Sequence, residues 1–459
     1  MILKTKLLQH QQTAVEKLMS SRVGGLFMEM GTGKSRTIIE LAARRLEKIS
    51  NIVWFCPVSL KQTVRHEIQK HTDAQDNDIC VFDDKTNQKN LPQALWYVIG
   101  IESMSSSTRI ILTTVQLINK QSFVIVDESS YIKNHCSNRT RFITQISAEA
   151  RYRYILTGTP LANGIVDIFA QMNFLSPKIL GYRSFYSFAA NHLEYSEKYP
   201  DLVVRALNTE YLAAKINPYV YQVKKSECLD LPKKTYTTYY FNMTMYQMYM
   251  YGRAKDDILL SIDVDAWDSY TIFQLFSALQ QIVCGFSNKY NDTFEDKRID
   301  TMMEAIGRIP SDEKIIIWCK YRYDIERITT ELNEPCSVFY GDKSEKERHQ
   351  EIENWRKKNR ILVATPASGG HGLTLNEAAY VIFYNNSFKY AERLQAEDRC
   401  HRIGQERNVL YIDIVCSNSI DERIMEAIWN KESIANSFKR EVDAVKDNEK
   451  KIKDWIKKL

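Results

Sequence analysis

The sequence predicts an α/β protein built as two doubly wound parallel-sheet lobes with a helical insertion. Three observations predict it. Short, uninterrupted apolar runs end in polar loops and alternate with helix-periodic stretches, the pattern of strands covered on both faces. One such run feeds a glycine-rich loop that opens a helix. The rhythm breaks over residues 177–300 and restarts at Lys314, and 459 residues exceed what one compact core accommodates.

Taken in order, Leu7-Leu8-Gln9-His10-Gln11-Gln12 opens an amphipathic helix through Ala14, Val15 and Leu18. A Gln just upstream of a phosphate loop suits the ring edge of adenine, and His10 suits stacking on the base. A plain surface helix start fits the spacing equally well. Gly24 to Met30 forms a strand, Gly31-Thr32-Gly33-Lys34-Ser35 a loop, and Thr37 to Ala43 a helix. This is the layout of a P-loop. Gly31 and Gly33 let the backbone around Thr32 curl its N–H groups toward phosphate oxygens, beside the positive end of the helix. Lys34 is placed to reach the β- and γ-phosphates of ATP, and Ser35 to ligate Mg2+. Phe27-Met28 departs from the small residue expected ahead of the loop.

Asn51-Ile52-Val53-Trp54-Phe55-Cys56-Pro57 reads as a second strand, residues 71–95 as polar and irregular, and Arg109 to Thr114 as a strand ending in two hydroxyls. Phe123-Val124-Ile125-Val126-Asp127-Glu128 ends in adjacent carboxylates. Behind a P-loop, Asp127 suits Mg2+ and Glu128 suits general-base activation of the attacking water. Arg153 to Pro160 closes the series with the turn Thr157-Gly158-Thr159-Pro160.

The middle is aromatic and basic. Leu231-Pro232-Lys233-Lys234 turns into a β-rich run, Tyr236 to Phe241, and Trp267 to Phe286 is helical in pattern. The Tyr- and Met-rich stretch 236–251 suits core packing better than base stacking. The second series then runs through Lys314 to Cys319, Ser337 to Tyr340, a capping box at Ser344-Glu345-Lys346-Glu347, Arg360 to Thr365, a glycine loop at 366–375, and Tyr380 to Tyr384. It has no second phosphate loop. Gln395 to Gln405 reads as helical, which puts Arg399 and Arg402 on one face. Two guanidinium groups there suit the spread charge of a transferring phosphoryl group.

Net charge is +5 with 26% charged residues, which admits a nucleic-acid partner. The nine cysteines form no C-x-x-C pair, and no apolar run approaches membrane-spanning length. A cytoplasmic protein without membrane contact is expected.

GTGKS, VIVDESS and ILTGTPLAN, in this order, resemble motifs I, II and III of superfamily-two helicases. Ile155 to Asn163 with Asp167, Phe169 and Phe174-Leu175, and Ile132-Lys133-Asn134, resemble the Swi/Snf-type translocases of double-stranded DNA. Gln395 to Gln405 resembles that group's motif VI, and the 366–375 loop its motif V, with Gly370 and Gly372 at backbone-approach positions. Ser129-Ser130 departs from the usual Ala or Gly followed by His, and Asn386-Ser387-Phe388 from Trp-Asn-Pro. The resemblance implies two RecA-like lobes, residues 1–225 binding ATP and residues 226–435 with a helical protrusion at about 240–300; beyond them Ile452, Trp455, Ile456 and Leu459 fall at helical spacing, which suits a basic brace helix over 436–459 better than a DNA-binding tail. The resemblance also implies ATP and Mg2+ on the first lobe, with Gly370 also near the nucleotide, and catalytic roles for Glu128, Arg399 and Arg402. It implies duplex DNA held by phosphate contacts near Ser59, Thr113, Thr114, Thr157 and Thr365, sequence-tolerant and salt-sensitive. The expected activity is an ATP-dependent, monomeric translocase of bacterial or phage origin, with an unidentified recruiting partner. A strand-separating helicase is the second expectation, and a DNA-binding scaffold with a vestigial ATPase the third.

Overall fold

The computed structural model describes residues 1–158, 160, 164–195, 203–261, 269–366 and 373–431. Two compact units divide between Asp230 and Leu231. Gly370, Gly372, Thr159 and the 436–459 helix lie outside the described residues. Among the described residues no helix is long and apolar enough to cross a membrane.

The first unit is built on a seven-stranded sheet. Its strands are β1 (Val23–Met28), β2 (Asn51–Cys56), β3 (Ile79–Val81), β4 (Trp96–Gly100), β5 (Ser122–Asp127), β6 (Tyr152–Thr157) and, after a short antiparallel hairpin of β7 (Leu193–Tyr195) and β8 (Val203–Ala206), β9 (Val220–Val223). Their order is β3-β4-β2-β5-β6-β1-β9, parallel throughout. Alternate residues feed opposite faces. Val53, Phe55, Val124 and Val126 enter one apolar core; Ile52, Trp54, Phe123 and Ile125 enter the other.

The second unit repeats the plan with β10 (Lys234–Phe241), β13 (Ile315–Trp318), β14 (Cys336–Phe339), β15 (Ile361–Ala364), β16 (Tyr380–Phe383) and β17 (Val409–Cys416), in the order β10-β17-β16-β13-β15-β14. These strands too are all parallel. A two-stranded ribbon, β11 (Phe286–Ser287) with β12 (Asp292–Thr293), follows helices Met245–Ser261 and Ser269–Val283. Ile315 and Ile317 face one core, Ile316 and Trp318 the other. The Tyr/Met stretch is split: Met250 and Tyr251 are buried, while Tyr240, Met245 and Tyr249 are exposed.

One expected strand is a helix. Arg109 to Thr114 lies in helix Thr108–Leu117, capped by the Ser107 hydroxyl. Its buried residues, Ile110, Thr113, Thr114 and Leu117, recur at i, i+3, i+4 and i+7, the helical spacing. The strand beside it is Trp96–Gly100, just beyond the stretch expected to be irregular, which itself contains β3.

A carboxyl in the second core yields a test of the packing. Asp324 is fully buried, and its Oδ2 accepts from Asn385 Nδ2 at 2.6 Å and from the Tyr321 N–H at 3.3 Å. Burial pushes its pKa up to about 7. A raised carboxyl pKa means the folded state holds the proton longer than the unfolded chain, which releases it near pH 4. Its contribution to stability is therefore lost as pH rises from about 4 to about 7. Asp324→Asn keeps an acceptor and cannot ionise. Its unfolding midpoint should gain on the wild type more at pH 8 than at pH 5; equal differences at both would contradict the assignment.

Candidate active site

The site on the first unit is organised by register. β6 lies between β1 and β5, with Phe27 opposite Thr157 and Asp127 opposite Leu156. The carboxyl ends of three neighbouring strands therefore present the phosphate loop, Thr157 and the acid pair side by side, one strand spacing of about 5 Å apart. Such an end of a parallel sheet is where ligands bind in this class of fold.

The loop needs its glycines. Gly31 and Gly33 have φ of 78° and 87°, and a Cβ on Gly33 would fall 2.1 Å from Gln11 Nε2. Helix Lys34–Ala43 begins immediately after. Lys34 Nζ donates to the Met28 carbonyl at 2.9 Å and to the Glu29 carbonyl at 3.4 Å. Ser35 is partly exposed in the first helical turn. Thr32 is buried, its hydroxyl on the Glu29 carbonyl at 2.7 Å.

His10 and Gln11 sit at this loop, but both are buried and turned onto it. His10 Nε2 donates to the Thr32 carbonyl at 2.8 Å, and Gln11 Nε2 donates to the same oxygen at 3.1 Å. Gln11 Oε1 accepts from the Leu8 N–H at 3.0 Å. In this structure the pair fixes the loop's backbone, so a plain surface helix start does not describe them.

Asp127 is bridged on both sides. Trp54 Nε1, from neighbouring β2, donates to Oδ2 at 3.3 Å, and the Glu128 N–H donates to Oδ1 at 3.0 Å. Burial pushes the Asp127 carboxyl up to about 6, against the pull of the Lys34 ammonium and with the push of Glu128. Lys34, Asp127 and Glu128 thus share one electrostatic environment. Glu128 stands at φ 50°, a left-handed conformation that few non-glycine residues adopt. The Ser130 hydroxyl donates to Glu128 Oε1 at 2.9 Å, and Thr157 Oγ1 donates to the same oxygen at 3.4 Å. Ser129 is buried, and its hydroxyl donates to Gln171 Oε1 at 2.6 Å; Gln171 Nε2 donates to the Pro160 carbonyl at 2.9 Å. The two serines at the departure from the family pattern therefore connect the acid turn to Thr157 and Pro160. Trp54 and Gln171 escape sequence reasoning because each sits inside an apolar run.

Three of the expected nucleic-acid contacts face inward. Thr113 and Thr114 are buried in their helix, with hydroxyls donating to the Arg109 and Ile110 carbonyls at 2.8 Å each. Thr157 is buried against Glu128. Ser59, exposed after β2, and Thr365, partly exposed after β15, do lie at carboxyl ends of strands.

On the second unit the arginines lie off the helix expected to carry them. Helix Tyr390–Glu397 ends before both, and Arg399 and Arg402 occupy the following turn. They converge nonetheless: Arg399 Nη1 and Arg402 Nη1 reach the Leu373 carbonyl at 3.4 and 3.2 Å. Gln405 Nε2 closes the turn onto the Asn376 and Ala378 carbonyls at 3.0 Å each. Upstream, Arg393 is buried between Asp413 and Glu397, with Nη2 on Asp413 Oδ2 at 3.0 Å and Nε on Glu397 Oε1 at 2.8 Å.

A phosphate loop and acid pair on one parallel-sheet unit, with paired arginines on a second that has no loop of its own, is the division of parts found in helicase-type ATPases. The comparison with known families agrees: the SNF2-related domain matches residues 10–287 and the helicase conserved C-terminal domain matches residues 297–404. The chain belongs to the SNF2-related family. It is 26% identical over 94% of its length to an uncharacterised ATP-dependent helicase of Mycoplasma pneumoniae, covering 42% of that protein. It is 23% identical over 90% of its length to the ISWI chromatin-remodelling complex ATPase ISW1 of Saccharomyces cerevisiae, covering 38% of that protein. The chain thus spans less than half the length of these relatives. Among solved structures, the Sulfolobus solfataricus SWI2/SNF2 ATPase core in complex with double-stranded DNA aligns over 98% of this chain and 95% of that one, with 23% identity and a TM-score of 0.46.

Proposed function

We propose that this chain is an ATP-driven translocase on double-stranded DNA whose hydrolysis is stimulated by the duplex. The observation that carries the reading is the register of β1, β6 and β5, which sets the Lys34 loop and the Asp127–Glu128 pair at one sheet edge. The residues fit a nucleoside triphosphate with Mg2+. Lys34 exchanges the Met28 and Glu29 carbonyls for phosphate oxygens. Asp127, which burial pushes up to about 6, would hold the cation together with the Ser35 hydroxyl. Mg2+ when bound supplies positive charge to the phosphate oxygens. Glu128 takes the proton of the attacking water, oriented by Ser130 and Thr157. Arg399 and Arg402 neutralise charge on the transferring phosphoryl group. DNA as the partner is supported by the Swi/Snf-type motifs and by relatives named as chromatin-remodelling ATPases. Ser59 and Thr365 remain the phosphate-contact candidates.

The test compares phosphate release with duplex DNA, single-stranded DNA and RNA at fixed salt, beside displacement of a triplex strand from blunt duplex and of one strand from a fork. Duplex should stimulate most, with triplex displacement and an intact fork. Fork unwinding would replace translocation with strand separation, and no phosphate release with any nucleic acid would leave only a binding scaffold.

A further inference from the structure

The stretch that joins the two units is fastened at each end to a loop of the proposed site. On the first unit the fastening residue is Glu29, directly ahead of the phosphate loop. Its N–H donates to the Val223 carbonyl at 3.2 Å, at the end of β9, and its Oε2 accepts from the Lys225 N–H at 2.7 Å. Its own carbonyl accepts from the Thr32 hydroxyl and from Lys34 Nζ. Glu29 thus holds the connecting stretch through its N–H and Oε2, and the loop through its carbonyl.

On the second unit the stretch lands on the arginine turn. His401 Nε2 donates to the Pro232 carbonyl at 2.7 Å. Lys234 Nζ reaches Glu397 Oε2 at 2.9 Å and Asp398 Oδ1 at 3.7 Å, and the Tyr236 hydroxyl donates to the same Glu397 oxygen at 2.9 Å. The Lys233 N–H donates to Asn408 Oδ1 at 2.9 Å, and its carbonyl accepts from the Val409 N–H at 3.1 Å. The turn bearing Arg399 and Arg402 is therefore bracketed by strand-entry contacts on both sides. Between the Lys225 and Pro232 anchors lie only residues 226–231, part short helix and part irregular.

Resting on the motor reading above, we infer that residues 223–236 act as a strap that sets the arginine turn according to the state of the phosphate loop, with Glu29 and His401 as its positioning residues. Seven peptide steps separate Lys225 from Pro232, so the two anchors can never stand more than about 25 Å apart. A displacement of the loop moves Glu29 and with it Lys225, and the turn is held by the far end of the same stretch. A lone hydrogen bond at either end would only brace its own unit; the pair of anchors on one short covalent segment makes them mechanically continuous.

The experiment lengthens the strap without touching either anchor. A Gly-Ser-Gly-Ser insertion between Asp230 and Leu231 in the full chain should lower duplex-stimulated kcat about tenfold, with KM for ATP and duplex affinity within about twofold of the wild type. Glu29→Ala and His401→Ala should each lower kcat by a similar factor, and their combination should cost no more than either alone, because both release one strap. Glu29→Gln, which keeps an acceptor for the Lys225 N–H, should restore most of the rate. Wild-type kcat in the insertion variant, or fully multiplicative losses in the double variant, would overturn the strap. Arg402→Ala is run alongside: if it retains full turnover the motor reading itself fails, whereas loss in Arg402→Ala with a silent insertion removes only the strap.

Discussion

Glu128→Gln should abolish duplex-stimulated phosphate release, by about 10³-fold, while nucleotide binding persists. The side chain keeps its shape, and an amide oxygen can still accept from Ser130 and Thr157, so the turn at φ 50° retains its hydrogen bonds. What is lost is the ability to take a proton from water. The backbone strain sharpens the argument, because a non-glycine residue held in the left-handed region is kept there by its surroundings. Binding of a fluorescent ATP analogue, measured beside phosphate release, separates the two effects. Near-normal turnover would remove Glu128 from the chemistry, and loss of nucleotide binding would make it structural.

Arg402→Ala carries the second large expectation: a loss of about 10³-fold or more in turnover, on the scale of other arginine fingers. Arg399 and Arg402 converge on one carbonyl, yet they differ in setting. Arg399 is 5% exposed, whereas Arg402 is only partly buried. Removing Arg399 therefore also opens the interior of the turn and should lower the thermal midpoint, while Arg402→Ala should leave that midpoint close to the wild type. Arg402→Lys should recover little, since a point charge lacks the planar fork. Full activity in Arg402→Ala would sink the assignment of roles across the two units.

Both sheets are legible in the sequence because parallel strands covered on two faces read as plain apolar runs, as Ile52 to Cys56 and Phe123 to Val126 do. The phosphate loop and acid pair are legible because their chemistry needs particular residues at fixed spacing. Helix Thr108–Leu117 is misread because Ile110-Ile111-Leu112 imitates a strand, and only the inward threonines reveal the helical period. The arginine turn is misread for the opposite reason: its spacing fits a helix, but the closure by Gln405 onto distant carbonyls is a tertiary fact. His10 and Gln11 are placed at the correct loop, yet which carbonyl they would hold depends on the whole fold. Glu29 gives no sequence signal at all, since its partner is 196 residues away.

The strand order has a consequence for how the protein is made. β1 is synthesised before both of its sheet neighbours among the described residues, β6 and β9, and Gly25 pairs with Val220. At about 5–20 residues per second of synthesis, that strand waits roughly 10–40 s for its last partner. Until β6 emerges both edges of this apolar segment lack their partners, and until β9 emerges one still does. Slowing synthesis between β6 and β9 should therefore lengthen the time that this edge stands open to other chains.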